Sequence, residues 1–193
     1  MQATCGTIFV ISGPSGVGKG TLCKWLLANH DGLHLSISAT SRPKRPDEQH
    51  GVDYLFVTPE AFQQMIADGA FLEYAQYNQN WYGTPKHSVE AMIAQGKHVL
   101  LEIDTQGALM VKELFPQAYM IFIEPPSLAE LERRLRTRGT NTEEDIQQRL
   151  EIARQELTLR DHFDAIVVNE ALSESQQRLV QLLTEKTSEP MPR

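Results

Sequence analysis

Residues 13–21 read Gly13-Pro14-Ser15-Gly16-Val17-Gly18-Lys19-Gly20-Thr21 and follow directly on an apolar run, Ile8-Phe9-Val10-Ile11. That order predicts a buried strand, a glycine-rich loop and then a helix opening near Lys19, the local context a phosphate-binding P-loop requires. Side chains are small or absent through the loop, so backbone N–H groups can turn inward toward an anion. The positive end of the helix dipole adds to the same spot. Lys19 supplies a mobile point charge for the outer phosphates of a nucleotide. The Ser or Thr usual after the lysine is replaced by Gly20, and the hydroxyl comes one place later at Thr21. Water-mediated binding of a metal ion is therefore expected in place of direct coordination by that hydroxyl.

A chain of 193 residues with 41% hydrophobic content accommodates one α/β domain with inserted subdomains. The formal net charge of −7 argues against a nucleic-acid-binding role, whose footprint is basic. Positive charge nevertheless gathers at Arg42-Pro43-Lys44-Arg45 and from Arg133 to Arg138, which suggests small anionic ligands, solvated helix faces being the ordinary alternative. Cys5 and Cys23 lack metal or redox spacing, and the start MQATCG has neither the basic flank nor the long apolar run of a signal peptide. No apolar stretch approaches a membrane span. These features predict a cytoplasmic, reduced protein, with residues 187–193 frayed.

Strands are expected at Thr7–Ser12, Lys97–Asp104, Ala118–Ile123 and Asp164–Val168. Helices are expected at Lys19–Asn29, Thr105–Leu114, Ser127–Arg138, Thr142–Arg160 and Ser173–Glu185. The alternation predicts a parallel sheet with crossover helices. From Leu35 to about Tyr82 the texture changes, with extended segments Tyr54–Val57 and Phe71–Tyr77 and a short helix after Pro59. That is a small mixed insertion between the first helix and the second core strand.

Glu102 and Asp104 share one face at the carboxyl end of an otherwise apolar strand, the end that opens onto the ligand crevice in such sheets. Leu128, Leu131 and Leu135 form the stripe of the next helix, and Arg138 falls at its end. There Arg138 either points into a cleft or faces the negative helix terminus, which Gly139 closes. Thr142 caps the following helix, whose stripe is Ile146, Leu150, Ala153 and Leu157, with Arg149 on the flank. Two helices with arginines near their joint suit a mobile lid over phosphates. Thr84-Pro85 reads as an ordinary helix cap and first turn. His30 and His34 are separated by Asp31-Gly32, which breaks any helix between them, and no other histidine shows ligand spacing.

Along nearly its whole length the chain resembles a guanylate kinase. The matching motifs are GPSGVGKGT; Ser38-Ala-Thr-Ser-Arg42 leading to Arg45 and Gly51-Val-Asp-Tyr54; Phe71-Leu-Glu73-Tyr-Ala; Tyr82-Gly-Thr84; Leu101-Glu-Ile-Asp104-Thr-Gln-Gly107; Arg138-Gly-Thr with Arg149; and Val167-Val-Asn169. The resemblance implies a three-layer P-loop α/β fold with a central parallel sheet, an inserted mixed α/β GMP-binding subdomain at 36–86 and a helical lid at 126–156. Residues 1–35, 87–125 and 157–193 would form the core. It further implies Mg²⁺-dependent transfer of the γ-phosphoryl group of ATP to GMP or dGMP, in purine nucleotide metabolism, by a protein that can be a homo-oligomer. Arg42, Arg45, Tyr54 and Tyr82 would hold the GMP phosphate. Ser38, Glu73, Thr84 and Asp104, with Gly107 beside them, would read guanine. Lys19, Arg42, Arg138 and Arg149 would act in transfer, Glu102 would orient hydrated Mg²⁺, and Arg134 and Asn169 would lie near the adenine of ATP.

One segment departs from the family wording Thr-Arg-x-Pro-Arg-x-Gly-Glu: here it is Ser41-Arg42-Pro43-Lys44-Arg45-Pro46-Asp47-Glu48. The arginines keep their spacing while the prolines move and a glycine becomes Asp47. A non-catalytic scaffold relative would be expected to have a degraded P-loop. A kinase for another nucleoside monophosphate or a phosphorylated sugar could share the core, against which Glu73 and Asp104 argue.

Overall fold

In the computed structural model, which describes residues 6–77, 79–137 and 142–188, the chain opens with β1 (Ile8–Ser12), α1 (Lys19–Asn29) and β2 (Leu33–Leu35). There follow β3 (Ala39–Thr40), β4 (Leu55–Phe56), α2 (Pro59–Ala67), β5 (Phe71–Tyr77) and β6 (Asn80–Pro85). Next come α3 (Lys86–Ala94), β7 (His98–Glu102), α4 (Thr105–Leu114) and β8 (Tyr119–Glu124). The chain continues through α5 (Leu128–Thr137), α6 (Glu143–Leu157), a 3-10 turn at Arg160–His162, β9 (Ala165–Val168) and α7 (Leu172–Ser188). Cys5, Arg138, Gly139 and residues 189–193 lie outside the described residues.

Five strands form one parallel sheet in the order β2-β7-β1-β8-β9. All five residues of β1 are buried, which explains its unbroken apolar sequence: a central parallel strand is covered on both faces. Alternation sorts its side chains. Phe9 and Ile11 join Leu22, Leu26, Leu179 and Leu183 under α1 and α7. Ile8 and Val10 join Val89, Ala108 and Val111 under α3 and α4. The result is a helix–sheet–helix sandwich.

A second sheet, ordered β4-β3-β6-β5, mixes parallel and antiparallel pairing. It packs Phe62 of α2 against Ala39, Phe71 and Trp81, with the Phe62 and Phe71 rings stacked 4.5 Å apart. Thr58 caps α2 by accepting the Ala61 N–H at 3.2 Å. α5 and α6 share a third cluster, Leu131, Leu135, Ile146, Leu150 and Ala153. A reciprocal capping box between Thr142 and Asp145 starts α6 where the sequence pattern places it.

Three local expectations are corrected, and one core strand is added. β7 stops at Glu102, because Asp104 leaves the strand to cap α4, its Oδ1 accepting the Gly107 N–H at 2.7 Å. Thr84 is not a helix cap: β6 runs through Pro85, and α3 starts at Lys86 with no side-chain cap. α6 ends at Leu157, and Arg160 belongs to the 3-10 turn. β2, only three residues long and at the sheet edge, pairs with β7 within a stretch whose hydropathy gives no strand signal.

Candidate active site

A cleft of about 1040 Å³ opens at the carboxyl ends of β1 and β7 and continues to the second sheet. Gly13, Ser15, Gly16, Gly18, Lys19, Gly20 and Thr21 line one end, Ser38, Tyr54, Glu73 and Tyr82 the other, and Glu102 and Asp104 lie between them. This is the crevice position expected of an open parallel sheet.

At the first end the backbone leaves β1 through Gly13, at φ +136°, where any Cβ would collide with the Ile123 carbonyl of the neighbouring strand. α1 then begins at Lys19, as the motif predicts. Lys19 Nζ donates to the carbonyls of Gly13 and Pro14, the latter at 3.1 Å, so the ammonium is folded back over the loop. Burial pushes its pKa below the ordinary value, while Glu156 and Glu102 oppose that shift. Gly20 faces Glu102: a Cβ there would lie 3.4 Å from Oε1, so the glycine leaves the carboxylate open to the cleft. Burial raises the Glu102 pKa, Lys19 lowers it, and the buried Cys23 thiol hydrogen-bonds to it.

At the second end Glu73 is 4% exposed. It sits across the β5–β6 ladder from Thr84, whose hydroxyl donates to Oε1 at 2.5 Å. Burial pushes its pKa up to about 7 against the pull of that hydrogen bond, with Asp104 adding to the rise. Gly107 of α4 packs against the same carboxylate, where a Cβ would stand 2.7 Å from Oε2. The sequence-expected residues Ser38, Glu73, Thr84, Asp104 and Gly107 therefore converge, with Gly107 acting as a spacer whose N–H is already used by Asp104.

Arg42, Tyr54 and Tyr82 also converge. The Arg42 guanidinium lies 5.5 Å from the Tyr54 ring centroid, the Tyr54 and Tyr82 rings are 6.0 Å apart, and Arg42 bonds the Tyr82 hydroxyl. Glu48 holds Arg42 through two bonds of 2.7 and 3.0 Å and also accepts the Arg45 N–H at 2.8 Å. The altered Pro43–Asp47 loop is thus wrapped around one carboxylate. That carboxylate titrates well below its ordinary value, chiefly because of its bond to Arg42. Arg45 itself is exposed and is not part of the cleft lining.

Arg149 of α6 lines the main cleft, and Arg138 is outside the described residues. Arg134 and Asn169 meet beside a smaller cleft: Arg134 Nη2 donates to the Asn169 carbonyl at 2.8 Å, and Asn169 Nδ2 donates to the Val17 carbonyl at 2.7 Å. Both side chains thus brace the back of the glycine-rich loop.

A family model described as guanylate kinase matches residues 6–186, which takes in every described residue that lines either cleft. The chain belongs to the guanylate kinase family. A guanylate kinase of Thermosynechococcus vestitus is 53% identical over 170 residues, 88% of this chain and 89% of that protein. One from Synechococcus sp. strain CC9902 is 49% identical over 174 residues, 90% and 93% of the two chains. The crystal structure of guanylate kinase from Anaplasma phagocytophilum superposes with a TM-score of 0.79 at 32% identity, covering 98% of this chain and 90% of that one.

Two carboxylates in this guanylate kinase family member escaped the sequence reading. Glu48 is invisible locally because its role depends on how the loop folds back on Arg42. Glu156 lines the main cleft beside Gly13, Ser15 and Lys19 of the glycine-rich loop. Its signal was present: it lies seven residues after Arg149, two helical turns along one face of α6.

Proposed function

We propose that the cleft binds ATP and GMP together and transfers the γ-phosphoryl group of ATP to GMP, giving ADP and GDP. The observation that carries the reading is the continuity of one cleft from the Lys19 loop to the buried Glu73–Thr84 pair. A nucleoside triphosphate at the first end and a guanine at the second bring their phosphates face to face between them. Guanine presents N1–H and a 2-amino group as donors, which Glu73 and Asp104 can accept and which adenine cannot match. Thr84, already oriented by Glu73, and Ser38 would complete the base pocket. Arg42, Arg45, Tyr54 and Tyr82 would hold the monophosphate. Every assigned contact is to base or phosphate, so dGMP serves as well as GMP.

The attacking GMP oxygen is already ionised near neutral pH, since the second phosphate pKa is about 6, so no side-chain base is needed. The obstacle is repulsion between two anions. Lys19, Arg42, Arg45 and Arg149, joined by Arg138, would supply compensating charge and alignment. Thr21 at the glycine-rich end and Glu102 beside it put oxygen donors on the cleft wall, the donor type a hard divalent cation takes. They would hold hydrated Mg²⁺, which adds positive charge at the polyphosphate. One phosphoanhydride is broken as another forms, so the reaction runs in both directions. It would return GMP to the purine nucleotide pool of the cytoplasm.

The three-part division fits the same reading. Residues 36–86 would carry the GMP pocket, 126–156 the lid, and the rest the ATP-binding core; lid closure would exclude the water that otherwise hydrolyses ATP. A coupled ADP-release assay with GMP, dGMP, AMP, CMP, UMP and dTMP tests the function. Turnover with GMP and dGMP alone is expected, and equal turnover with AMP would overturn it.

A further inference from the structure

Glu156 stands on the last turn of α6, yet it lines the same cleft wall as Gly13, Ser15 and Lys19. Its Oε2 is shut off from solvent and accepts no hydrogen bond. That is a costly position for a carboxylate, and it calls for a compensating charge. The groups facing it come from three elements. The phosphate loop and the start of α1 present the Ser15 amide and the Lys19 ammonium. The start of α4 presents the Thr105 hydroxyl and the Asp104 carboxylate. Arg149, two turns earlier on the same helix, lines the same cleft. Of the carboxylates acting on Lys19, Glu156 exerts the largest pull, ahead of Glu102 and Asp104. A backbone N–H and a lysine ammonium at a glycine-rich loop are the partners a phosphate oxygen would use there.

We infer that Glu156 is an internal stand-in for the donor nucleotide's phosphate. Its carboxylate neutralises Lys19 while the cradle holds no polyphosphate, and it must be displaced or neutralised when one enters. This rests on the proposed reading of Gly13–Thr21 as the polyphosphate cradle. Glu156 and Arg149 ride on one helix, so expelling the carboxylate shifts the helix that carries the arginine. Entry of the donor is thereby coupled to the arrival of Arg149, and the empty site is kept from presenting an uncompensated cation.

The inference fixes the sign of a pH effect. Burial pushes the Glu156 carboxyl up to about 7 in the nucleotide-free protein, and phosphates brought alongside push it higher. Binding therefore takes up a proton at this group, and the carboxylate opposes phosphates only where it is ionised, above about pH 7.

The test is calorimetric titration of ADP, inorganic pyrophosphate and GMP into wild type, Glu156→Gln and Glu156→Ala at pH 6 and pH 8. At pH 8, Glu156→Gln is expected to bind ADP and pyrophosphate about tenfold more tightly than wild type, because one pH unit above its pKa the wild-type carboxyl must be neutralised from a roughly tenfold excess of the ionised form. At pH 6 the gap should all but vanish, because the wild-type carboxyl is then mostly neutral. GMP affinity should not change at either pH. Glu156→Ala should move in the same direction, which keeps the test decisive if one variant folds poorly. Equal or weaker binding by the variants at pH 8, or a gap that is the same at both pH values, overturns the inference while leaving the cradle intact. Failure of wild type and variants alike to bind ADP and pyrophosphate overturns the cradle assignment, and the inference with it.

Discussion

Thr84 and Glu73 face each other across adjacent antiparallel strands, and the hydroxyl of one donates to the carboxylate of the other at 2.5 Å in a buried setting. One oxygen of Glu73 is thereby fixed, and the carboxylate plane is set by the sheet and not by the loops around it. Titration of this group has a stability consequence. Its pKa is raised from 4.5 to about 7 in the folded chain, so between those values the native state binds more protons than the unfolded one. Stability from this group is complete below about pH 4.5 and is lost as pH rises through about 7. Glu73→Gln removes the buried charge and should make the ligand-free protein more stable than wild type at pH 8, on the order of 2 kcal/mol, with the gain vanishing near pH 4. Denaturant midpoints across that range check it. The same variant should bind GMP far more weakly, because an acceptor for the guanine donors is lost.

Gly107→Ala would place a methyl 2.7 Å from Glu73 Oε2. Glu73 is buried and tied to Thr84, so it cannot swing aside freely. We expect a stability loss of roughly 1–3 kcal/mol, typical of overpacking. The KM for GMP should rise at least fivefold while that for ATP stays within twofold. A variant with unchanged GMP kinetics would show that the Glu73 carboxylate does not read the base.

Lys19→Ala should fold and should lose roughly two or more orders of magnitude in kcat, since the ammonium acts on charge that grows during transfer. The comparison to make is steady-state turnover with GMP beside the thermal unfolding curve of the same preparation. Near-normal turnover would remove the loop from the chemistry.

Arg149→Ala ought to lower kcat far more than it weakens binding of GMP alone, the pattern of an interaction made in the closed, reacting state. GMP titration by calorimetry beside kinetics separates the two. A parallel loss in both, or in neither, would make Arg149 a structural flank of α6.

How much of this was legible in the sequence depended on how far apart the partners are along the chain. The glycine-rich loop is defined by its own backbone between β1 and α1, so nine consecutive residues sufficed. The α6 start was equally plain, because Thr142 and Asp145 cap each other three residues apart. Thr84 was misread for the opposite reason: Thr-Pro is a local cap signal, but pairing of β6 with β5 overrode it and turned the hydroxyl onto Glu73. From residue chemistry alone nothing linked Glu73 to Asp104 and Gly107; that grouping came from the resemblance. Glu48 was missed because its partner is chosen by tertiary approach, which hydropathy periodicity does not record, whereas Glu156 shared a helix face with Arg149 and only its approach to Lys19 was hidden.

The α5–α6 pair has a core of its own, in which Leu131, Leu135, Ile146, Leu150 and Ala153 pack largely against one another. Little of the sheet's apolar packing is therefore lost when the pair comes away. Amide hydrogens along these two helices should exchange together, by an opening that costs much less than global unfolding, while β1 and β8 exchange only when the whole molecule unfolds. A bound donor that engages Arg149 would slow exchange across both helices at once, including at Glu130 in the first turn of α5, which lines neither cleft.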